Sequence, residues 1–522
     1  MKLVTGEQMR MLEQKSVEAG ISLDMLMENA GLAVAEEIRK LRGGSVAGCP
    51  ILILVGPGNN GGDGLVAARH FYDWDADVSL YFYKRRTEGD KNFKLLQERG
   101  LSYTDADSDK GLIVLNDALS KSEIVVDALF GTGKLRPLQG TIKELLEFVK
   151  RYRENSPQLT VVAVDLPSGL DADSGAVDPA CLSADVTITL GYPKVGLFNF
   201  PSAERVGKLI VAPIGIKPKL AGSLTTELIT AEWVKSVLPK RPLSANKGTF
   251  GKLMVAAGSI NYIGAAYLAC AAATRVGAGL VTLATGRSLQ PVLAAKLTEV
   301  TYAPLPEAEP GVISAEAATL FAEQLSEYDV LLMGCGLGQH PSTQKFIRES
   351  LFSPSLIMAR GVVLDADALN ALAGVSKWWQ RMDYEAVLTP HPGEMARLTG
   401  LSVAEIQTDR LKIAQRMAAE WQKVVVLKGA YTVIAAPDGR AKLNPSANPG
   451  LASAGTGDVL SGAIAGLLAQ GLSPFDAACC GVYLHSAAGE MVREEFGDAG
   501  MVASDLLPVL PKVVKKLKAS QI

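Results

Sequence analysis

The chain has 522 residues, 48% of them hydrophobic and 20% charged, and a formal net charge of −3. This length implies two or more domains with ordinary apolar cores, and so small a charge gives no footing for a nucleic-acid or anionic-membrane partner. The charged start MKLVTGEQMRMLEQK is no secretory signal, and no apolar run approaches the roughly 18 residues needed to span a bilayer; the expectation is a cytoplasmic protein acting on small molecules.

In chain order, residues 7–40 read as helices. Residues 51–55 (ILILV) form a continuous apolar run, suited to a strand buried on both faces. Residues 78–83, 123–127, 160–165, 185–190 and 208–211 read alike, with helical stretches between many of them. Lys84-Arg85-Arg86 reads as a solvated loop. Residues 217–248 read as a connector with one short helix. Beyond it, strands are expected at 252–257, 280–284, 330–333, 362–365, 423–427 and 431–435, and small-residue helices at 265–276 and 461–469. Both halves are therefore α/β, with ligands expected at the carboxyl ends of the strands. Six cysteines show no CxxC and no metal-ligand spacing, so they read as buried thiols.

The first strand runs into Gly56-Pro57-Gly58-Asn59-Asn60-Gly61-Gly62-Asp63-Gly64. Five glycines and two Asn residues make a tight loop with exposed amides, a natural phosphate cradle, though Asn-Gly is also plain turn chemistry. Two further strands end in carboxylates, Asp127 and Asp165, each followed by a Gly-containing loop. Asn60, Asp127 and Ser168 could offer oxygen to a hard cation, which leaves Asp165 as a candidate acid/base. In the second half, Gly455-Thr456-Gly457-Asp458 opens a helical segment. Its amides and the helix dipole suit phosphate. Asp458 there is either a helix cap or a base that takes a proton from a hydroxyl.

GPGNNGGDG (56–64), DALFGTG (127–133), VDLPSGLDADSG (164–175) and GYPKVGLF (191–198) resemble the N-terminal domain of the bifunctional NAD(P)H-hydrate repair enzymes. KGTFGKLMVAAGS (247–259), GCGLG (334–338), LDADALN (364–370), TPHPGEMARL (389–398), VLKGAYTVIA (426–435) and NPGLASAGTGDVLSG (448–462) resemble their dehydratase domain, end to end and in order. The resemblance implies a Rossmann-like parallel-sheet domain over 1–220 and a ribokinase-like α/β domain over 221–522. The first would be an epimerase with K+ on Asn60, Asp127 and Ser168. Its substrate would touch Asn59, Asn60, Gly61, Gly62, Asp63, Gly131, Thr132, Gly133, Lys134, Leu135, Arg136, Pro137 and Asp165, with Asp165 as the acid/base residue. The second would use ADP or ATP with Mg2+. There Gly264, Ala265, Gly338, His391 and Asp458 would contact the hydrated nucleotide, with Asp458 catalytic. Lys428, Gly429, Ala430, Tyr431, Thr432 and Gly457 would hold ADP or ATP. Glu394 would either help position Mg2+ or cap a helix. A homo-oligomer is also implied.

Three positions depart from the family pattern: Lys134 stands where an apolar residue is expected, Asn246 where His is frequent, and Cys335 where Pro is usual. A ribokinase-like vitamin or hydroxymethyl kinase would share the GTGD loop, and a related first domain serves as a scaffold in mRNA decapping. The TPHPGEMARL and LDADALN segments argue against the first alternative, and Asp165 with the Asn pair against the second.

Overall fold

The computed structural model describes residues 1–133, 136–354, 356 and 360–519. The chain forms two compact units, Met1–Leu224 and Thr225–Ile522. In the first, β1 (Pro50–Val55), β2 (Asp77–Phe82), β3 (Tyr103–Asp105), β4 (Ile124–Ala128), β5 (Thr160–Val164), β6 (Val186–Leu190) and β7 (Lys208–Ala212) form one parallel sheet. Their order is β3-β2-β1-β4-β5-β6-β7. β1 is central and buried on both faces: Ile51, Ile53 and Val55 enter one core, Leu52 and Leu54 the other. This is why it reads as an unbroken apolar run. The strand order reverses between β1 and β4, which opens a crevice at their carboxyl ends. The helix Asn59–Asp73 leaves that crevice and packs on the helix Leu23–Leu41. A Cβ on Gly31 would stand 2.4 Å from that of Val66, so the crossing needs glycine. β3, a three-residue edge strand, lacks an apolar run and was not expected.

The second unit holds β8 (Thr226–Leu228), β9 (Lys252–Ala256), β10 (Leu280–Gly286), β11 (Thr301–Leu305), β12 (Glu307–Glu309), β13 (Val312–Ile313), β14 (Val330–Met333), β15 (Gly361–Leu364), β16 (Ala386–Leu388), β17 (Val424–Leu427), β18 (Val433–Ala435) and β19 (Ala441–Leu443). Ten of these form a sheet in the order β11-β10-β9-β14-β15-β16-β17-β18-β19-β8. It is parallel from β11 to β17, then antiparallel through β18 and β19. The helices Ile263–Val276, Thr456–Ala469, Pro474–Phe496 and Ala503–Ala519 share one core with Leu253, Val255, Leu332 and Val426 of this sheet. The stretch expected as a connector contains the helix Ala231–Val237 and also β8. Thr-Glu-Leu carries no strand pattern; it is drawn into the sheet by parallel pairing with β19.

All six cysteines are buried and free, as expected. Among the described residues no helix is long and apolar enough to cross a membrane.

Candidate active sites

The N-terminal crevice is built from the ends of β1, β4, β5 and β6. The loops after β1 and β4 touch: a Cβ on Gly56 would lie 1.8 Å from the Leu129 carbonyl oxygen. Gly58 precedes the helix Asn59–Asp73 and brings no side-chain cap, so among the described residues no capping side chain covers the first-turn amides. Arg85 is not a solvated residue of a basic run. Its guanidinium donates to the Gly58 carbonyl at 2.6 Å and the Gly56 carbonyl at 3.2 Å, and its other nitrogens bond Asp90. It ties down the Gly-rich loop, while Lys84 and Arg86 are exposed.

Asn60, Asp127 and Ser168 come together. The Ser168 hydroxyl and amide donate to the Asp127 carboxylate at 2.6 and 2.8 Å. The Ser168 oxygen accepts from the Phe130 amide at 3.0 Å, and Asn60 Nδ2 donates to the Phe130 carbonyl at 3.1 Å. Burial pushes the Asp127 carboxyl up, against these hydrogen bonds. Among the described residues no cationic side chain bonds it. A buried carboxylate with a hydroxyl beside it and no cationic partner among the described residues suits a hard cation.

Asp165 lies just past β5 with φ +65°, a conformation that costs energy for a residue with a Cβ. Its Oδ1 accepts from the buried Lys194 ammonium, from the Leu190 amide at 3.0 Å and from Thr189 at 3.2 Å. Lys194 also donates to the Leu190 carbonyl at 3.0 Å. All these donors meet on Oδ1; among the described residues none reaches Oδ2.

The remaining expected contacts are scattered. Gly131 borders Asn60: a Cβ on Gly131 would lie 3.2 Å from Asn60 Oδ1. The Thr132 carbonyl accepts from Arg10 at 3.2 Å. Asn59, Gly133, Arg136 and Pro137 are exposed, whereas Gly61, Gly62 and Asp63 are buried. Lys134 and Leu135 lie outside the described residues.

The C-terminal crevice gathers the ends of β14, β15, β16 and β17 against the helix Thr456–Ala469. Gly455, at φ +90°, is the residue that begins this helix, and it makes no side-chain cap. Asp458 is therefore not the cap. The amides of Gly457 and Asp458 have no acceptor among the described residues. The Asp458 carboxyl is pushed up to about 7, by burial first and then by the Asp365 charge, against the Cys335 thiol and Lys428. Cys335 Sγ and carboxylate oxygens of Asp365 and Asp458 all lie within 4.8 Å of one another.

Asp365 is the hub. It accepts from Lys428 Nζ at 2.7 Å, Thr389 at 2.8 Å and Ser461 at 2.8 Å. Burial raises its pKa, but Lys428 and the hydroxyl donors win and hold it below the usual carboxylate range. Lys428 also lies 3.6 Å from Glu394. A Cβ on Gly457 would stand 3.6 Å from Lys428 Nζ, so the VLKG turn and the GTGD loop meet. Gly429, Ala430, Tyr431 and Thr432 form the turn between β17 and β18, closed by a 2.7 Å bond from Thr432 to the Gly429 carbonyl. Arg410 anchors it through the Leu427 and Lys428 carbonyls at 2.9 and 3.2 Å.

His391 caps the helix Pro392–Thr399. Its Nδ1 accepts from the Gly393 amide at 3.0 Å, so Nε2 carries the proton and the half-exposed ring can donate. Glu394 closes the capping box through the His391 amide at 2.8 Å, which is its cap reading. Gly338 is held by Asp367 at 2.8 Å. Gly264 starts the helix Ile263–Val276 with open space beside it, and the Ala265 methyl abuts Gly336.

Asp365, Lys194, Cys335 and Arg85 were not singled out as site residues from the sequence. Asp365 carried the same signal as Asp127 and Asp165, an apolar strand ending in Asp. Lys194 stood in the quoted GYPKVGLF motif without a role. Nothing local marked Arg85 as a residue of the Gly-rich loop, since the Gly56 and Gly58 carbonyls it holds lie 29 and 27 residues away.

Residues 253–512 match the family model of NAD(P)H-hydrate dehydratase, and residues 23–196 that of the YjeF-related protein N-terminus. The bifunctional NAD(P)H-hydrate repair enzyme of Moorella thermoacetica is 44% identical over 526 residues, covering 99% of this chain and 97% of that protein. The Escherichia coli enzyme of the same name is 38% identical, covering 89% and 84%. A solved structure of the ADP/ATP-dependent NAD(P)H-hydrate dehydratase from Bacillus subtilis, co-crystallised with ATP and Mg2+, is 36% identical. It covers 56% of this chain and 100% of that one, with a TM-score of 0.49. The chain belongs to the family of bifunctional NAD(P)H-hydrate repair enzymes.

Proposed function

We propose that the two crevices perform successive repair steps on hydrated NADH or NADPH. The N-terminal crevice interconverts the R and S forms at C6, with Asp165 moving the proton. The C-terminal crevice removes water from the S form at the expense of ADP or ATP. Phosphorylating the C6 hydroxyl turns a poor leaving group into a good one. The observation that carries this reading is the placement of Asp458, in the first turn of a helix whose cap is Gly455 and whose Gly457 and Asp458 amides have no acceptor among the described residues.

Asp458, poised near neutrality, takes the proton of the hydroxyl as it attacks phosphorus. The Gly457 and Asp458 amides and the helix dipole stabilise the transferring group. The turn at Lys428, Gly429, Ala430, Tyr431 and Thr432 borders the nucleotide, and the positive Lys428 charge, already shared with Asp365, offsets phosphate charge beside it. His391 Nε2–H, Gly338, Ala265 and the open space at Gly264 border the hydrated nicotinamide nucleotide. Mg2+ accompanies ADP or ATP. K+ held by Asn60, Asp127 and Ser168 supplies the counter-charge that the buried Asp127 lacks. The chain works as a homo-oligomer in the cytoplasm.

The test is recovery of the near-ultraviolet absorbance of NADH from separated R and S hydrates, with ADP or ATP, Mg2+ and K+. Asp458→Asn should abolish dehydration and spare epimerisation, and Asp165→Asn should do the reverse. A stable phosphorylated product, with no NADH regained, would instead favour a small-molecule kinase.

A further inference from the structure

The helix Asn59–Asp73 carries a second carboxyl into the N-terminal crevice. Asp63 is 8% exposed, and among the described residues its side chain has no hydrogen-bond partner. The charges that act on it are those of Asp165 on the loop after β5, Glu13 on the helix Gly6–Glu18, Lys194 beyond β6 and Arg85 beyond β2. Buried polar groups are nearly always satisfied within the protein; one left open in a substrate crevice is available to a ligand.

The two aspartates have opposite surroundings. Asp165 is paired with the Lys194 ammonium and has the Leu190 amide on the same oxygen. Asp63 has no such partner; burial, then Asp165, then Glu13 raise its carboxyl well above the usual range, against Lys194 and Arg85. An unpaired buried carboxyl keeps a proton to give, and one paired with an ammonium through a single oxygen has its other oxygen free to accept one.

We propose that Asp63 is a second catalytic residue of the epimerase, acting as the proton donor opposite Asp165. The inference rests on the epimerase reading above. The Asp63 carboxyl gives its proton to the C6 hydroxyl. The C6–O bond breaks, its electron pair leaves with the oxygen as water, and the ring nitrogen lone pair forms the N1=C6 iminium. Water then adds to the opposite face of C6 while Asp165 Oδ2 takes its proton. Asp63 ends as carboxylate and Asp165 as acid; one proton passed from Asp165 to Asp63 restores the start. Running the reaction backward exchanges the two roles, as an epimerase requires.

The experiment uses the full chain and the separated R hydrate without nucleotide. Asp63→Asn keeps the shape and removes the proton. Because the Asp63 side chain makes no hydrogen bond among the described residues, this variant should fold, which its thermal melt and circular dichroism check. It should lose at least about 100-fold in epimerase kcat, with little change in KM, and its residual rate should lack the alkaline limb of the wild-type profile. Asp63→Glu should restore part of the rate, and in oxygen-18 water the wild type should incorporate one label at C6 per turnover. Wild-type kcat in a folded Asp63→Asn, a loss confined to KM, or turnover without label would each overturn the proposal. A wild type with no epimerase activity would overturn the functional reading instead.

Discussion

Lys428 Nζ donates to Asp365 Oδ1 at 2.7 Å, joining the turn after β17 to the end of β15 beneath the GTGD helix. The Asp365 side chain is 2% exposed and that of Lys428 16%. Removing one partner of a buried pair strands the other charge, at about 3–5 kcal/mol. Lys428→Met should therefore destabilise the C-terminal unit by that order in urea unfolding at neutral pH. The sign with pH follows from Asp365, whose native pKa is depressed. In the wild type its contribution is present above the unfolded carboxylate value and fades as pH falls through the native one. The gap between variant and wild type should accordingly narrow toward acid, and a gap that widened there would refute the pairing as its cause.

Asp458 has the opposite sign. Its carboxyl, pushed up to about 7, must be ionised to accept a proton. Dehydratase kcat should fall on the acid side with a midpoint near pH 7 and rise to a plateau above it. Cys335→Ala removes a thiol that favours the ionised form, so that midpoint should move to higher pH. Stability runs the other way: the raised pKa helps the folded state below the unfolded carboxylate value, and the help is lost as pH rises through about 7. Asp458→Asn should raise Tm at pH 8 more than at pH 5. Equal shifts at both values would mean that burial does not strain this carboxylate.

Much of this was legible locally. β1 is apolar on both faces because it lies at the centre of a covered sheet, and the glycines at 56, 61 and 455 stand where backbone or anion must come close. The pairing of Asp127 with Ser168 followed from two strand ends on one side of a sheet. What escaped the sequence depends on distant partners. Lys194 reaches Asp165 across 29 residues, Lys428 reaches Asp365 across 63, and β8 exists only because β19 offers an edge.

Lys194 is buried, and its ammonium serves Asp165, the Leu190 carbonyl and, at 3.3 Å, Thr189. Lys194→Met keeps the apolar stem and removes the charge. Epimerase kcat should fall by tenfold or more, dehydratase rate should stay at the wild-type level, and the N-terminal unit should lose about 3–5 kcal/mol for the stranded carboxylate. Lys194→Arg should not rescue, because a fork of five donors does not fit a site shaped for a point charge. Retained epimerase activity in Lys194→Met would mean that the Leu190 amide and the Thr189 hydroxyl suffice to orient Asp165.

Two glycines of the C-terminal unit separate packing from binding. A Cβ on Gly462 would stand 2.1 Å from the Ala269 carbonyl oxygen, backbone that can move only if the helices Thr456–Ala469 and Ile263–Val276 part. Alanine would gain up to about 1 kcal/mol in helix propensity. The overpacking penalty of roughly 1–3 kcal/mol or more exceeds it, so Gly462→Ala should lower stability. A Cβ on Gly264 meets nothing within 4 Å, so Gly264→Ala should leave unfolding unchanged or slightly improved. If the hydrated nucleotide lies against Gly264, the same methyl should raise the dehydratase KM severalfold. An unchanged KM would move the substrate away from the start of that helix, and a loss of stability in Gly264→Ala would show that the space beside it is filled.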